Sequence, residues 1–295
     1  MLVFRFGKYL VPTYFCVKAE CIGSEVRTTV ACKTLGATFM KHFRFTLIFF
    51  FFSVKLFADC KSSGIYFWPQ NKTIKSNQII VIEGYENSQK VIRGLNKQYS
   101  IYLKTSNSKV KLKVIETLEG DMNLTQAVLK PEENLVKGLE YQIFISDLPE
   151  DEKPLGRWNY ETEEYELVKW IVEGDIDTIM PLWLNPPIET KSTLILLGCG
   201  PEIYVNFKLK IIEQSDFLIK ATVTDLLTNK STAYYLENDD SSTLKIGHGM
   251  CSGPFKFKNE VFEVTFAIMD SSGNFAYYNS NKIRFTNPKS ELKER

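Results

Sequence analysis

Lys109-Val110-Lys111-Leu112-Lys113-Val114 alternates charged and aliphatic side chains without a break. A period of two places every lysine on one face of an extended strand and every aliphatic residue on the other, which a helix of 3.6 residues per turn cannot do. The rhythm continues outward, through Tyr99, Ile101 and Leu103 on one side and Tyr141, Ile143 and Ile145 on the other. Such strands set one face on a core and one in water, as in antiparallel sheets. Ile79-Ile80-Val81-Ile82 is a solid apolar run instead, and it predicts a strand buried more completely. Turn signals (Lys75-Ser76-Asn77, Asn107-Ser108, Glu119-Gly120-Asp121) recur about every ten residues, the spacing of a β-sandwich. No stretch carries a helical period longer than two turns.

Residues 149–163, opening Pro149-Glu150-Asp151-Glu152-Lys153-Pro154, are polar and proline-bounded and read as a linker. A strand-like stretch, 165–172, ends at Gly174-Asp175. A second half restarts at Pro181-Leu182-Trp183, with strands expected at 193–197, 203–209, 217–226, 232–236, 260–269 and 282–285. In the 203–209 strand Ile203, Val205, Phe207 and Leu209 share one face.

Two stretches resemble known modules. Leu129-Lys130-Pro131, followed by Leu135, Gly138 and Tyr141 with alternating apolar residues after it, resembles the closing hairpin of bacterial immunoglobulin-like (Ig-like) domains of the S-layer type. Trp68-Pro69, a turn and a strand ending in Gly84-Tyr85 fit the opening, while the usual Phe-Ser-Glu-Pro segment has no counterpart. Asp270-Ser271-Ser272-Gly273-Asn274 before Phe275 resembles the Asp-x-x-Gly-Asn hairpin of extracellular Ig-like and fibronectin-like repeats. These resemblances imply an all-β chain of two tandem Ig-like β-sandwiches, 64–148 and 175–287, joined by a linker and connecting strand at 149–174 and followed by a polar tail, 288–295. They imply scaffold or adhesive modules of exported bacterial proteins and name no active site.

Export is also legible in the residues. Met40-Lys41-His42-Phe43-Arg44 is a basic opening, the run 45–54 (FTLIFFFFSV) is apolar, and Leu56-Phe57-Ala58 precedes polar Asp59. That is the order of a secretory signal peptide, expected over 40–58 with cleavage between Ala58 and Asp59. Residues 1–39 then read as an over-extended gene start. A spanning helix needs about 20 apolar residues, and Lys55 interrupts this run at half that length. The expected mature chain is therefore periplasmic, outer-surface or secreted, and not membrane-spanning.

Removing 1–58 takes away eight basic and two acidic residues and leaves 28 against 33, a net charge of −5. An acidic balance without clustered Lys and Arg excludes nucleic acid as a partner. Cys60, Cys199 and Cys251 remain. Cys199 and Cys251 both lie in Gly-rich turns of the second half and are expected to pair in an oxidising compartment, leaving Cys60 outside the bridge.

Candidate chemistry is sparse. His248 is the one histidine after Ala58, set between Gly247 and Gly249. With Cys251 it offers two metal ligands where zinc takes four. The Gly-rich turns are followed by no helix and so make no phosphate cradle. Asp175, Asp177 and Asp270 are the calcium candidates, expected to converge where the halves meet. The aromatic residues Trp158, Trp170 and Trp183 crowd the linker and the start of the second half, either packing the halves together or forming a stripe for glycan or peptide. The expectation is a non-enzymatic binding, adhesion or envelope-structural module without cofactor, meeting an envelope glycan or extracellular protein. The rival from another class is an exported hydrolase or accessory subunit with a cleft between the halves.

Overall fold

The computed structural model describes residues 63–289 except 154, 160–161, 199, 239–241 and 279–281. The expected leader with Ala58, Asp59 and Cys60 lies outside the described residues, as do Cys199 and 290–295. The fold is all-β, as the period-two pattern predicts.

The N-terminal half contains β1 (Gly64–Trp68), β2 (Thr73–Lys75), β3 (Ile80–Tyr85), a six-residue helix α1 (Gln89–Gly94), β4 (Ile101–Lys104), β5 (Lys109–Glu119), β6 (Leu124–Pro131), β7 (Glu140–Ile145), β8 (Gly156–Asn159), β9 (Glu164–Leu167) and β10 (Lys169–Gly174). One run of pairing, β1-β3-β6-β5-β4-β7-β10-β2, wraps two sheet layers around a core. Strand β5 belongs to both layers. Its first part pairs with β4 and its second with β6, and the register slips between Val114 and Glu116. One extra residue reverses which face a side chain takes. Val110 and Leu112 therefore point into the core, while Glu116 and Leu118 lie on the opposite face of the sheet.

The closing hairpin shows why its residue types are needed. Leu135 and Tyr141 are buried in the core, and the Val136 amide donates to the Tyr141 hydroxyl at 3.1 Å. Gly138 turns the chain at φ +85° and its amide donates to the Val172 carbonyl at 2.7 Å.

The segment expected as linker and connecting strand, 149–174, carries three strands. Strands β8 and β9 form a separate two-stranded ribbon, whereas β10 enters the N-terminal sheet between β7 and β2. The reason is burial: Val168, Trp170 and Val172 fill the same core as Ile101 and Leu103.

The C-terminal half contains β11 (Leu182–Glu189), β12 (Thr193–Leu197), β13 (Gly200–Ile212), β14 (Phe217–Asp225), β15 (Ser231–Leu236), β16 (Thr243–His248), β17 (Val261–Asp270), β18 (Phe275–Tyr277) and β19 (Ile283–Thr286). Strand β13 pairs with β16 along one side, and with β11 and β12 end to end along the other. The second sheet has β14 between β15 and β17, with β18 and β19 on the far side of β17. Ile203, Val205, Phe207 and Leu209 of β13 face Ile219, Val223, Val264 and Phe266 across the core, with the Phe207 and Phe266 rings edge to face at 5.2 Å. Gly247 has φ +150°, and a Cβ there would lie 2.0 Å from the Ile203 carbonyl oxygen.

The two halves are packed against each other rather than strung on a linker. Trp68, Ile79, Val81 and Val128 from the N-terminal half and Leu218, Tyr235 and Met269 from the C-terminal half form one buried cluster. Ile80 and Ile82 face the N-terminal core while Val81 faces this second cluster. That accounts for the unbroken apolar run: β3 is covered on both faces.

Candidate functional site

Two features gather chemistry-bearing side chains. The first lies at the junction, where carboxylate oxygens of Asp177, Glu213 and Asp270 fall within 4.8 Å of one another. Four separate segments position them. Asp177 leaves β10 on the strand-to-strand connection, Glu213 follows β13, Asp270 ends β17, and Lys75 reaches in from β2. Lys75 Nζ is paired with Asp177 Oδ2, and this hydrogen bond is the main cause of an Asp177 pKa below the ordinary carboxylate value. Burial pushes Asp270 the other way, against the hydrogen bonds it accepts from Asn274 and Ser272. Asp270 Oδ1 takes the Ser272 and Asn274 amides at 2.9 and 2.8 Å, and Oδ2 takes Asn274 Nδ2 at 2.7 Å. Glu213 Oε1 accepts from the Gln214 and Ser215 amides at 2.9 and 2.7 Å.

The spacing suits a cation with bonds of about 2.4 Å to oxygen, and among the described residues these three could hold it. Their lone pairs are already directed at an ammonium and at amide donors, so in this arrangement the cluster's chemistry is that of a clamp. Asn77 completes it: its Nδ2 donates to the Asp177 carbonyl at 2.7 Å, and its Oδ1 accepts from Ser272 Oγ at 3.0 Å. The Asp-x-x-Gly-Asn hairpin thus holds the N-terminal half through Asn77 and, through the Ile79 amide, at the Ser271 carbonyl (2.7 Å).

The expected triad of aspartates is corrected at one position. Asp175 does not converge with Asp177 and Asp270; it is exposed and pairs with Lys137 at 2.8 Å. Glu213 takes its place, and no local pattern in the sequence marks it, because it is brought in by the pairing of β13 and β14 with other strands.

The second feature is aromatic. Trp158 and Tyr165 are cross-strand partners on the β8–β9 ribbon, edge to face at 5.3 Å. Trp158 is half-buried and Tyr165 is 58% exposed. Arg157 Nη1 donates to the Gln70 carbonyl at 2.6 Å and Lys72 pairs with Glu166 at 3.1 Å, which tie the ribbon down. Trp170 cannot join a surface stripe. It is completely buried, and its indole donates to the Pro69 carbonyl at 3.0 Å. Trp183 is half-buried, with its indole on the Ala276 carbonyl at 3.1 Å and its ring against Tyr278.

His248 is buried with Nδ1 2.8 Å from the Gly249 carbonyl, and burial lowers its pKa. Cys199 lies outside the described residues. Its neighbour Gly200 backs onto the carbonyl of Met250, the neighbour of Cys251, 3.3 Å from where a Cβ would stand.

No family model matches the chain, and no curated protein matches it. Among solved structures, a pullulanase from Anoxybacillus sp. LM18-11 is 10% identical with a TM-score of 0.22, over 72% of this chain and 24% of that one. The S-layer protein rSbsC(31-844) is 12% identical with a TM-score of 0.23, over 74% and 33%. The tandem Ig repeats of Dlar are 10% identical with a TM-score of 0.20, over 76% and 98%. The chain spans about a quarter of the pullulanase and a third of the S-layer protein.

Proposed function

We propose that this chain is an exported, non-enzymatic binding or envelope-structural module built from two tandem Ig-like sandwiches, with the Trp158–Tyr165 ribbon as its contact platform for a glycan or an extracellular protein. The observation that carries it is the filled junction. Where the rival hydrolase would need a cleft, Trp68, Val81, Val128, Leu218, Tyr235 and Met269 are buried against one another. The ribbon, by contrast, is a separate two-stranded sheet and presents a cross-strand aromatic pair, the kind of surface on which sugar rings and peptides stack. Export rests on the leader, 40–58, and a Cys199–Cys251 disulfide on the apposition of Gly200 with Met250.

The test is binding of the exported protein to envelope glycans and to whatever co-purifies with it. Trp158→Ala is expected to weaken binding and His248→Ala to leave it unchanged. Silence at Trp158 together with loss of function in a folded His248→Ala protein would replace this reading with a hydrolase or metal site near Gly247.

A further inference from the structure

The sheet face of β11, β12 and β13 that is turned away from the core carries side chains the function above does not use. In β13 the odd-numbered residues from Ile203 to Leu209 are buried, so Lys208, Lys210 and Ile212 lie on the outer face with their cross-strand partners. Two of the three β11 partners are aliphatic: Ile188 lies opposite Lys208 and Leu182 opposite Ile212, with Asn185 opposite Lys210 between them. Farther along, Ile195 and Leu197 share this face. Leu182, Ile188 and Ile212 are 56%, 58% and 52% exposed. Over the length of β13, about 40 Å at the rise of an extended strand, these aliphatic residues lie toward the two ends, with Thr193, Tyr204 and Asn206 between them.

Lys191, Lys208 and Lys210 are exposed, and none is ion-paired among the described residues. Among the described residues of β11 to β13 the acidic groups are Glu189, which has a partner of its own, and Glu202, which is buried. The surface therefore combines exposed aliphatic side chains with three lysines that have no ion-pair partner among the described residues.

We propose that this face docks on an anionic phospholipid surface. Charge complementarity names the occupant. Protein interfaces concentrate Trp, Tyr and Arg and are depleted in Lys, and the span 182–212 has no Arg and no exposed aromatic residue. Aliphatic side chains ringed by lysines suit a bilayer, where lysine stems lie along acyl chains while their ammonium groups reach the phosphates. The inference is independent of the glycan or protein platform on β8–β9, which lies on a different sheet.

The experiment is co-sedimentation of the protein, in the form the host exports, with two vesicle preparations: phosphatidylcholine alone, and phosphatidylcholine with about one-quarter phosphatidylglycerol. Binding is expected only with the anionic vesicles and is expected to fall in high salt. Leu182→Ser with Ile188→Ser, and separately Lys208→Glu with Lys210→Glu, should each lower the bound fraction by about tenfold. Ile195→Ser with Leu197→Ser is the reserve pair should either double variant lose its circular dichroism spectrum. Anything residues 45–54 contribute is common to all variants and cancels. Equal binding by wild type and all folded variants, or none by wild type, overturns the proposal. So does a wild-type dimer that the serine variants convert to monomer, which would make a second copy the occupant.

Discussion

The Tyr234 hydroxyl donates to Glu83 Oε2 at 2.6 Å, joining a central strand of the N-terminal half to the edge strand of the C-terminal half. Neither group has a local reason to be where it is. Glu83 sits between Tyr66 and Gln126 in the sheet ladder, on the face that meets the other half. Burial raises its pKa above the ordinary glutamate value, and the Tyr234 hydrogen bond pulls it back down. The same proximity raises the Tyr234 pKa, burial being the larger cause.

Tyr234→Phe should cost about 1–3 kcal/mol, because it leaves a withdrawn carboxylate without its donor. Urea denaturation at neutral pH measures it. A loss confined to a few tenths would mean that water replaces the phenol.

Glu83→Gln should change the pH profile. A carboxyl whose folded pKa lies above its unfolded value of about 4.3 contributes stability below that pH and loses it as pH rises through the folded pKa. The amide keeps an acceptor for Tyr234 and has no charge to bury. Melting temperatures of variant and wild type should therefore diverge in the variant's favour from pH 4 toward pH 8. A constant offset across that range would show that Glu83 does not titrate differently in the fold. Asp177 has the opposite sign. Its lowered pKa makes a contribution that is present above about 3.9 and lost in acid, so Asp177→Asn should flatten the acid limb.

Trp170→Ala should destabilise by about 3–5 kcal/mol, the cost of emptying a fully buried aromatic site. Trp158→Ala, at a half-buried position whose ring meets Tyr165, is expected to cost less, about 1 kcal/mol. Thermal unfolding of the two variants side by side tests the division of these tryptophans into core and ribbon.

Gly247→Ala and Gly138→Ala should differ. Both glycines have positive φ, but a Cβ at Gly138 meets nothing within 4 Å while one at Gly247 strikes the Ile203 carbonyl. Gly138→Ala is expected to cost about 1 kcal/mol of backbone strain. Gly247→Ala is expected to exceed about 3 kcal/mol, because β13 and β16 must separate. Equal losses would place the strain in the backbone alone.

A non-reduced peptide map of the exported protein should link Cys199 to Cys251, and its N-terminal sequence should begin at Asp59. A Cys60 crosslink to either cysteine, or retention of Met40, would contradict these two expectations separately.

The strand content, the deep burial of residues 79–82 and the closing turn around Gly138 and Tyr141 were determined by the sequence alone. Side-chain alternation, a left-handed glycine and an apolar run each express a local rule that acts over a few residues. The aspartates of the junction were legible in part: Asp177 and Asp270 meet, whereas Asp175 turns to Lys137. What only the tertiary structure decided is pairing across long separations. The slip at Ile115 sends Glu116 to Lys220 and Tyr235, β10 inserts beside β7 and carries Trp170 into the core, and Glu213 joins carboxylates 36 and 57 residues away. Each depends on which sheet faces happen to be covered, and a face is covered only when distant strands arrive to exclude water from it.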